Sequence, residues 1–261
     1  MNGAKLEIQD VVVRFLGARV LDGVSLDVAP GSVHGVIGPN GAGKSSLFNV
    51  VCGVYRPASG RVLLDGRRLV GLSPHRIAAL GVGRAFQNAS MVTSLSVEEN
   101  LLLGQHRHQR SGVLADGLRL PRSRRSERQA REAVRTAAAL LGIEELLDRR
   151  AEELPYGAAK RVDVARALAS EPRLLLLDEP AAGMHAGEKD QMSRSIRRVA
   201  DELGTTVLLV EHDMPLVMGV CDEVTVLNFG TVVTTGSPSR VRADPEVVCA
   251  YLGGTAREVP R

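Results

Sequence analysis

The segment Gly38-Pro39-Asn40-Gly41-Ala42-Gly43-Lys44-Ser45 limits the folds open to this chain more than any other stretch. It fits the pattern G-x-x-x-x-G-K-[ST], and its flanks suit that pattern. Val33–Ile37 reads as a short buried strand before it, and residues 46–51 read as a helix after it. Strand, glycine turn and helix N-terminus together cradle phosphate, because glycines let successive N–H groups converge on an anion and the helix dipole favours negative charge. In such a loop Lys44 reaches the β- and γ-phosphates, Ser45 Oγ binds Mg²⁺, and Ser46 donates to the α-phosphate. The competing reading is a glycine-rich turn without a ligand, and the strand–loop–helix context counts against it. The chain is expected to bind a nucleoside triphosphate.

What surrounds the loop alternates between strand and helix. Residues 6–15 and 24–28 alternate apolar with polar in part, with a turn at 16–19. Residues 60–66 read as a strand ending in an Asp65-Gly66 turn, Ser73-Pro74 opens a short helix through Leu80, and a strand over 82–86 leads into Gln87. From about residue 96 to 170 the character is helical. Ser96-Val97-Glu98-Glu99 has the form of a capping box. Residues 123–141 are amphipathic, with Ala130, Val134, Ala137, Ala138 and Leu141 close to one face. Residues 105–125, with Gly112, Gly117, Pro121 and several arginines, read as an insertion or long loop. Strands return at 173–178 and 205–210 around a helix over 188–202. Two closing strands, 223–228 and 231–235, flank a Phe229-Gly230 turn.

Composition excludes several classes. No apolar run approaches the ~18–20 residues that span a bilayer, and residues 1–7 lack the apolar core of a signal peptide. Cys52, Cys221 and Cys249 are scattered without metal-ligand spacing, which predicts reduced thiols in the cytosol. The formal charge is +3, yet residues 107–135 hold nine arginines against Asp116, Glu127 and Glu132, making that segment +6 and the remainder −3. A solvated helix face accounts for such a run; contact with anionic lipid headgroups or an acidic partner loop is the alternative. No aromatics interleave the arginines, so no nucleic-acid partner is expected.

A phosphate loop alone does not say how the nucleotide is used. Leu174-Leu175-Leu176-Leu177 is apolar on both faces, as in a central parallel strand, and it ends in Asp178-Glu179-Pro180. Carboxylates at the C-terminal end of such a strand lie where parallel sheets carry ligands. Asp178 is predicted to hold Mg²⁺ through a water, and Glu179 to polarise the attacking water. Gln87 and His212 also follow strands. Taken singly, the first reads more readily as a surface glutamine and the second as a structural histidine; their joint placement after strands of one sheet favours γ-phosphate sensing.

With these residues in place, the chain resembles an ATP-binding cassette (ABC) ATPase over essentially its whole length. Residues 38–45 resemble the Walker A loop, Gln87 the Q-loop, residues 174–179 the Walker B strand and His212 the switch histidine. Leu154-Pro155-Tyr156-Gly157-Ala158 occupies the place of the signature motif. Within the family the chain is most similar to the LivG-type subunits of branched-chain amino acid uptake transporters. The carrying segments are Glu211-His212-Asp213-Met214-Pro215-Leu216-Val217-Met218-Gly219, Glu179-Pro180-Ala181-Ala182-Gly183, and the residues from Asp244-Pro245-Glu246 to Tyr251-Leu252-Gly253.

The resemblance implies a P-loop NTPase (RecA-like) α/β core, with an N-terminal antiparallel β-subdomain and an α-helical signature subdomain. Residues 1–87 and 171–261 would form the core and β-subdomain, and 88–170 the helical part, with an arginine-rich insertion at about 105–128. It implies ATP and Mg²⁺ as ligands. Gly38, Pro39, Asn40, Gly41, Ala42, Gly43, Lys44, Ser45 and Ser46 would hold the phosphates. Phe15 would stack on adenine, though the residue by itself reads as core. Ser45, Gln87 and Asp178 would serve Mg²⁺, and Glu179, His212, Gln87 and Lys44 would act in hydrolysis. Tyr156 and Gly157 would face the ATP of a partner cassette, in a head-to-tail pair of non-identical subunits or a homodimer. Two transmembrane permease subunits and, indirectly, a solute-binding protein complete the implied importer, with this chain peripheral on the cytoplasmic side of the membrane. A soluble iron–sulfur-assembly cassette, a lipopolysaccharide exporter and a urea or amide transporter are the alternatives.

The signature departs from the family pattern. Pro155 stands where a serine hydroxyl is usual, Ala158 where a glutamine is usual, and His185 where the D-loop has Asp or Asn. A hydrogen bond to a charged group is worth ~1.5–3 kcal/mol, so these losses weaken that half-site without abolishing it.

Overall fold

The computed structural model describes residues 3–15, 17–85, 91–107 and 121–247. Its centre is a six-stranded sheet in the order β10-β9-β3-β8-β7-β6. These strands are β3 (Val33–Ile37), β6 (Val82–Ala85), β7 (Leu174–Asp178), β8 (Thr206–Val210), β9 (Glu223–Asn228) and β10 (Thr231–Gly236). All neighbours run parallel except β10, which returns antiparallel along β9. A second, antiparallel sheet in the order β2-β1-β4-β5 holds β1 (Leu6–Phe15), β2 (Ala18–Val28), β4 (Ser59–Leu64) and β5 (Arg67–Arg68).

The run Leu174–Leu177 shows why the central sheet needs cover on both faces. Successive side chains of a strand point to opposite sides. Leu174 and Leu176, with Leu208 and Val210 of β8, therefore pack toward Leu6, Ile8 and Val62 of the antiparallel sheet and toward Leu47 and Phe48. Leu175, Leu177, Val207 and Leu209 face the opposite way, among Val134, Val162, Ile196 and Val217 of the helices. Each fully buried aliphatic side chain contributes ~1.5–3 kcal/mol, so a polar residue at any of them would open one of the two cores.

The helices are α1 (Lys44–Val51), α2 (Pro74–Ala79), α3 (Val97–Leu103), α4 (Pro121–Leu141), α5 (Tyr156–Ala169), α6 (Ala186–Leu203), α7 (Met214–Val220) and α8 (Pro238–Ala243). At the start of α3 the expected capping box is present: Ser96 Oγ accepts from Glu99 N at 3.1 Å, and Glu99 Oε2 accepts from Ser96 N at 2.8 Å. In α4, Ala130, Val134, Ala137, Ala138 and Leu141 are all buried, as their spacing predicts. Helix α4 starts at Pro121, so residues 121–125 are helical rather than part of a long loop; proline suits a first helical position because its missing N–H would be unpaired there anyway. Strand β2 also extends well upstream of residue 24, because pairing with β1 from Arg14–Arg19 to Leu6–Val28 outweighs its weak alternation. No helix among the described residues is long and apolar enough to cross a membrane.

Candidate nucleotide site

Parallel order puts the loops after β3, β8 and β7 at one edge of the sheet, the place where such sheets bind ligands. Because β8 lies between β3 and β7, the segment with His212 sits between the 38–45 loop and the Asp178–Glu179 pair. Residues far apart in sequence thus converge on one site.

The loop's shape depends on glycine at two points. Gly38 has φ 153° and Gly43 has φ 102°, values that side chains rarely adopt. A Cβ on Gly38 would collide with the Leu227 carbonyl of β9, and one on Gly43 would lie 2.6 Å from Leu21 Cδ2 and 2.9 Å from Val20 O. The turn between β9 and β10 braces the loop from outside: Gly230 N donates to Ala42 O at 3.1 Å, and Asp22 N donates to Gly230 O at 2.8 Å.

Asn40, Gly41, Ala42, Gly43, Lys44, Ser45 and Ser46, with Val20 beside them, line a concavity of about 210 Å³. Gly43 caps α1 without a side-chain hydrogen bond, so no side-chain cap takes the first-turn N–H groups of that helix, which suits them to an anion. Lys44 is buried, with Nζ donating to Gly38 O at 2.7 Å and Pro39 O at 3.0 Å. Burial pushes its ammonium below the usual lysine range, while the Glu179 and Asp178 carboxylates pull it back up. A buried cation flanked by carboxylates and backbone N–H groups matches the charge pattern of a magnesium–triphosphate complex.

Asp178 ends β7 buried, and its Oδ2 accepts from Arg84 Nη2 at 3.0 Å. Arg84 Nη1 also donates to Asn49 Oδ1 at 2.8 Å, so this β6 guanidinium joins the acid to helix α1. Glu179 has φ 49°, a left-handed conformation costing about 1–2 kcal/mol in a non-glycine residue. Its N–H donates to Val210 O at 2.9 Å. His212 Nδ1 lies 3.8 Å from Glu179 Oε1. Phe15 is partly exposed at the end of β1 and meets Tyr55 edge-on, ring centroids 4.9 Å apart. Gln87 lies outside the described residues, as do Cys249, residues 108–120 and residues 248–253.

Two residues here escaped the sequence reading of the site. Arg84 is one; a charged side chain within an apolar strand was its signal. Glu211 is the other. It is buried; Oε1 accepts from Ala181 N at 2.9 Å, and Oε2 accepts from His212 N at 3.0 Å. One carboxylate therefore sets the spacing between the loop after β7 and the loop after β8. Among the described residues, no three His, Cys, Asp or Glu side chains cluster as a metal site.

Residues 154–158 open helix α5. Pro155 caps α5 without a side-chain hydrogen bond, and Gly157 and Ala158 are buried in the first turn. Tyr156 Oη donates to Ala182 O at 3.1 Å within the same chain.

Sheet order, phosphate loop and acid pair define a P-loop nucleoside triphosphatase. The ABC transporter family model matches residues 21–182. The chain is 42% identical over 253 residues to the high-affinity branched-chain amino acid transport ATP-binding protein BraF of Pseudomonas aeruginosa, covering 97% of this chain and 99% of that one. It is 38% identical to the corresponding protein LivG of Escherichia coli K12, with the same coverage. Among solved structures, the ADP conformation of MJ1267, an ATP-binding cassette of an ABC transporter, superposes with a TM-score of 0.82 at 29% identity, covering 96% of this chain and 99% of that one. The chain belongs to the ABC transporter family.

Proposed function

We propose that this chain is the ATP-hydrolysing subunit of an importer for branched-chain or related amino acids, peripheral on the cytoplasmic face of the membrane. The observation that carries the reading is the meeting of the 38–45 loop, the Asp178–Glu179 pair and His212 at one sheet edge. Near-complete coverage of BraF and LivG supports the choice of solute class.

In this reading the first-turn N–H groups of α1 and the Lys44 ammonium hold the β- and γ-phosphates. Ser45 Oγ and Asp178, together with Gln87, would hold Mg²⁺, which would supply positive charge against that developing on the phosphate oxygens. Glu179 takes the proton of the attacking water, and His212 orients that carboxylate and donates to the γ-phosphate. Phe15 packs on the base. Residues 1–87 and 171–261 form the catalytic core, and 88–170 form a helical arm that passes movement to two permease subunits. A second cassette, non-identical to this one, pairs head to tail so that α5 of each faces the other's ATP.

Affinity purification from detergent-solubilised membranes tests this. Two permeases and a companion cassette should co-purify, and a leucine-loaded binding protein should stimulate ATP hydrolysis in the reconstituted complex. Recovery with soluble partners alone, or no response to any branched-chain amino acid, would overturn the assignment.

A further inference from the structure

We propose that Tyr156 is a positioning residue that pins the N-terminus of α5 to the loop carrying Glu179 in its own chain. The occupancy of the companion's ATP at α5 would thereby be passed to this chain's cleavage site. The coupling rests on the head-to-tail pairing proposed above; the pin itself does not.

Tyr156 is 56% exposed, so apolar burial holds it only in part. Its hydroxyl donates to Ala182 O at 3.1 Å. Its ring lies over Gly183, which has φ 77° and where a Cβ would come within 3.0 Å of the ring's Cε1. One turn along α5, the Lys160 ammonium sits 5.7 Å from the ring centroid, within cation–π range. Ala182 N in turn donates to Glu179 O at 3.2 Å, and Ala181 N donates to the Glu211 carboxylate. The hydroxyl is therefore connected by hydrogen bonds to the backbone of Glu179 and, through Glu211, to that of His212.

A second contact lies beside the pin. The Glu188 carboxylate accepts from His185 N at 3.0 Å and abuts the Cα of Gly157, leaving no room for a side chain there. With Pro155 offering no capping group, these two contacts set where α5 begins relative to residues 179–188.

Tyr156→Phe keeps the ring and its contact with Lys160 and removes only the donor. In the full chain, hydrogen exchange at amides 181–184 should quicken about three- to tenfold, the range expected for losing one neutral hydrogen bond. In the assembled transporter kcat should fall by a similar factor with KM for ATP unchanged, a split that a merely structural role would not give. Unchanged exchange at 181–184 would overturn the pin. Faster exchange with unchanged kcat would overturn the coupling. A wild-type complex without ATPase activity would overturn the proposed function instead, and the exchange measurement would still decide the pin.

Discussion

The phosphate-loop edge and the N-terminus of α5 make an instructive pair. The first gathers a buried lysine, a serine, two carboxylates and a histidine from three strands, braced by Arg84 and Glu211. The second offers Pro155, Tyr156, Gly157 and Ala158, and the one side-chain hydroxyl among them is already bonded to Ala182. One region is equipped to grip and cut; the other supplies a helix N-terminus and little else. From this contrast we propose that the chain serves its own nucleotide better than a companion's and that the pair is asymmetric.

The largest effect expected from testing that contrast comes from Lys44→Ala. Removing a buried cation from the phosphates should weaken ATP binding to the purified chain by more than about 100-fold, since hydrogen bonds between charged groups are worth ~1.5–3 kcal/mol each. Calorimetry on the same preparation should find Ala158→Gln indistinguishable from wild type. Equal losses in the two variants would erase the distinction between the regions.

A smaller effect follows from restoring the missing hydroxyl. Pro155→Ser should raise turnover of the assembled complex by up to about tenfold and stabilise α5 by ~1 kcal/mol as an N-cap. A drop in turnover would show that Pro155 is needed where it stands.

The last effect, away from the nucleotide, concerns stability beneath the phosphate loop. His34 is buried in β3, its Nε2 2.8 Å from Thr225 Oγ1, and burial pushes it down to about 4. The half-exposed Glu223 carboxylate, 3.5 Å from Nδ1, does not offset that burial. The unfolded chain takes up this proton near 6.5, so the stability contribution is complete above that value and is lost as pH falls toward about 4. Urea titrations should show a loss of about 2 kcal/mol between about pH 7 and about pH 5. His34→Gln should flatten the slope, and an unaltered slope would place the titration elsewhere.

Much of this was legible in the chain itself, for identifiable reasons. Val33–Ile37, Leu174–Asp178 and Glu223–Asn228 read as strands because they are short, apolar and bounded by turn or polar residues, and local signals decided them. The extension of β2 and the two-residue β5 rest on hairpin pairing with β1 and with β4, which alternation along a single strand does not carry, and helix α4 begins at Pro121, upstream of its amphipathic stretch. In the site, Lys44 and the Asp178–Glu179 pair announce themselves by spacing. Glu211 does not, because its role exists only once β7 and β8 are neighbours. Tyr156 was expected to face a partner's nucleotide, and its bond to Ala182 could not be anticipated from residues so far apart in sequence.

The central proposition is that Glu179 removes the proton from the water that attacks ATP held by the phosphate loop. Single-turnover hydrolysis by the assembled complex carrying Glu179→Gln tests it directly. General-base catalysis contributes ~10²–10⁴-fold, so ATP should remain bound while cleavage slows by at least about 100-fold. Cleavage at the wild-type rate would contradict the account.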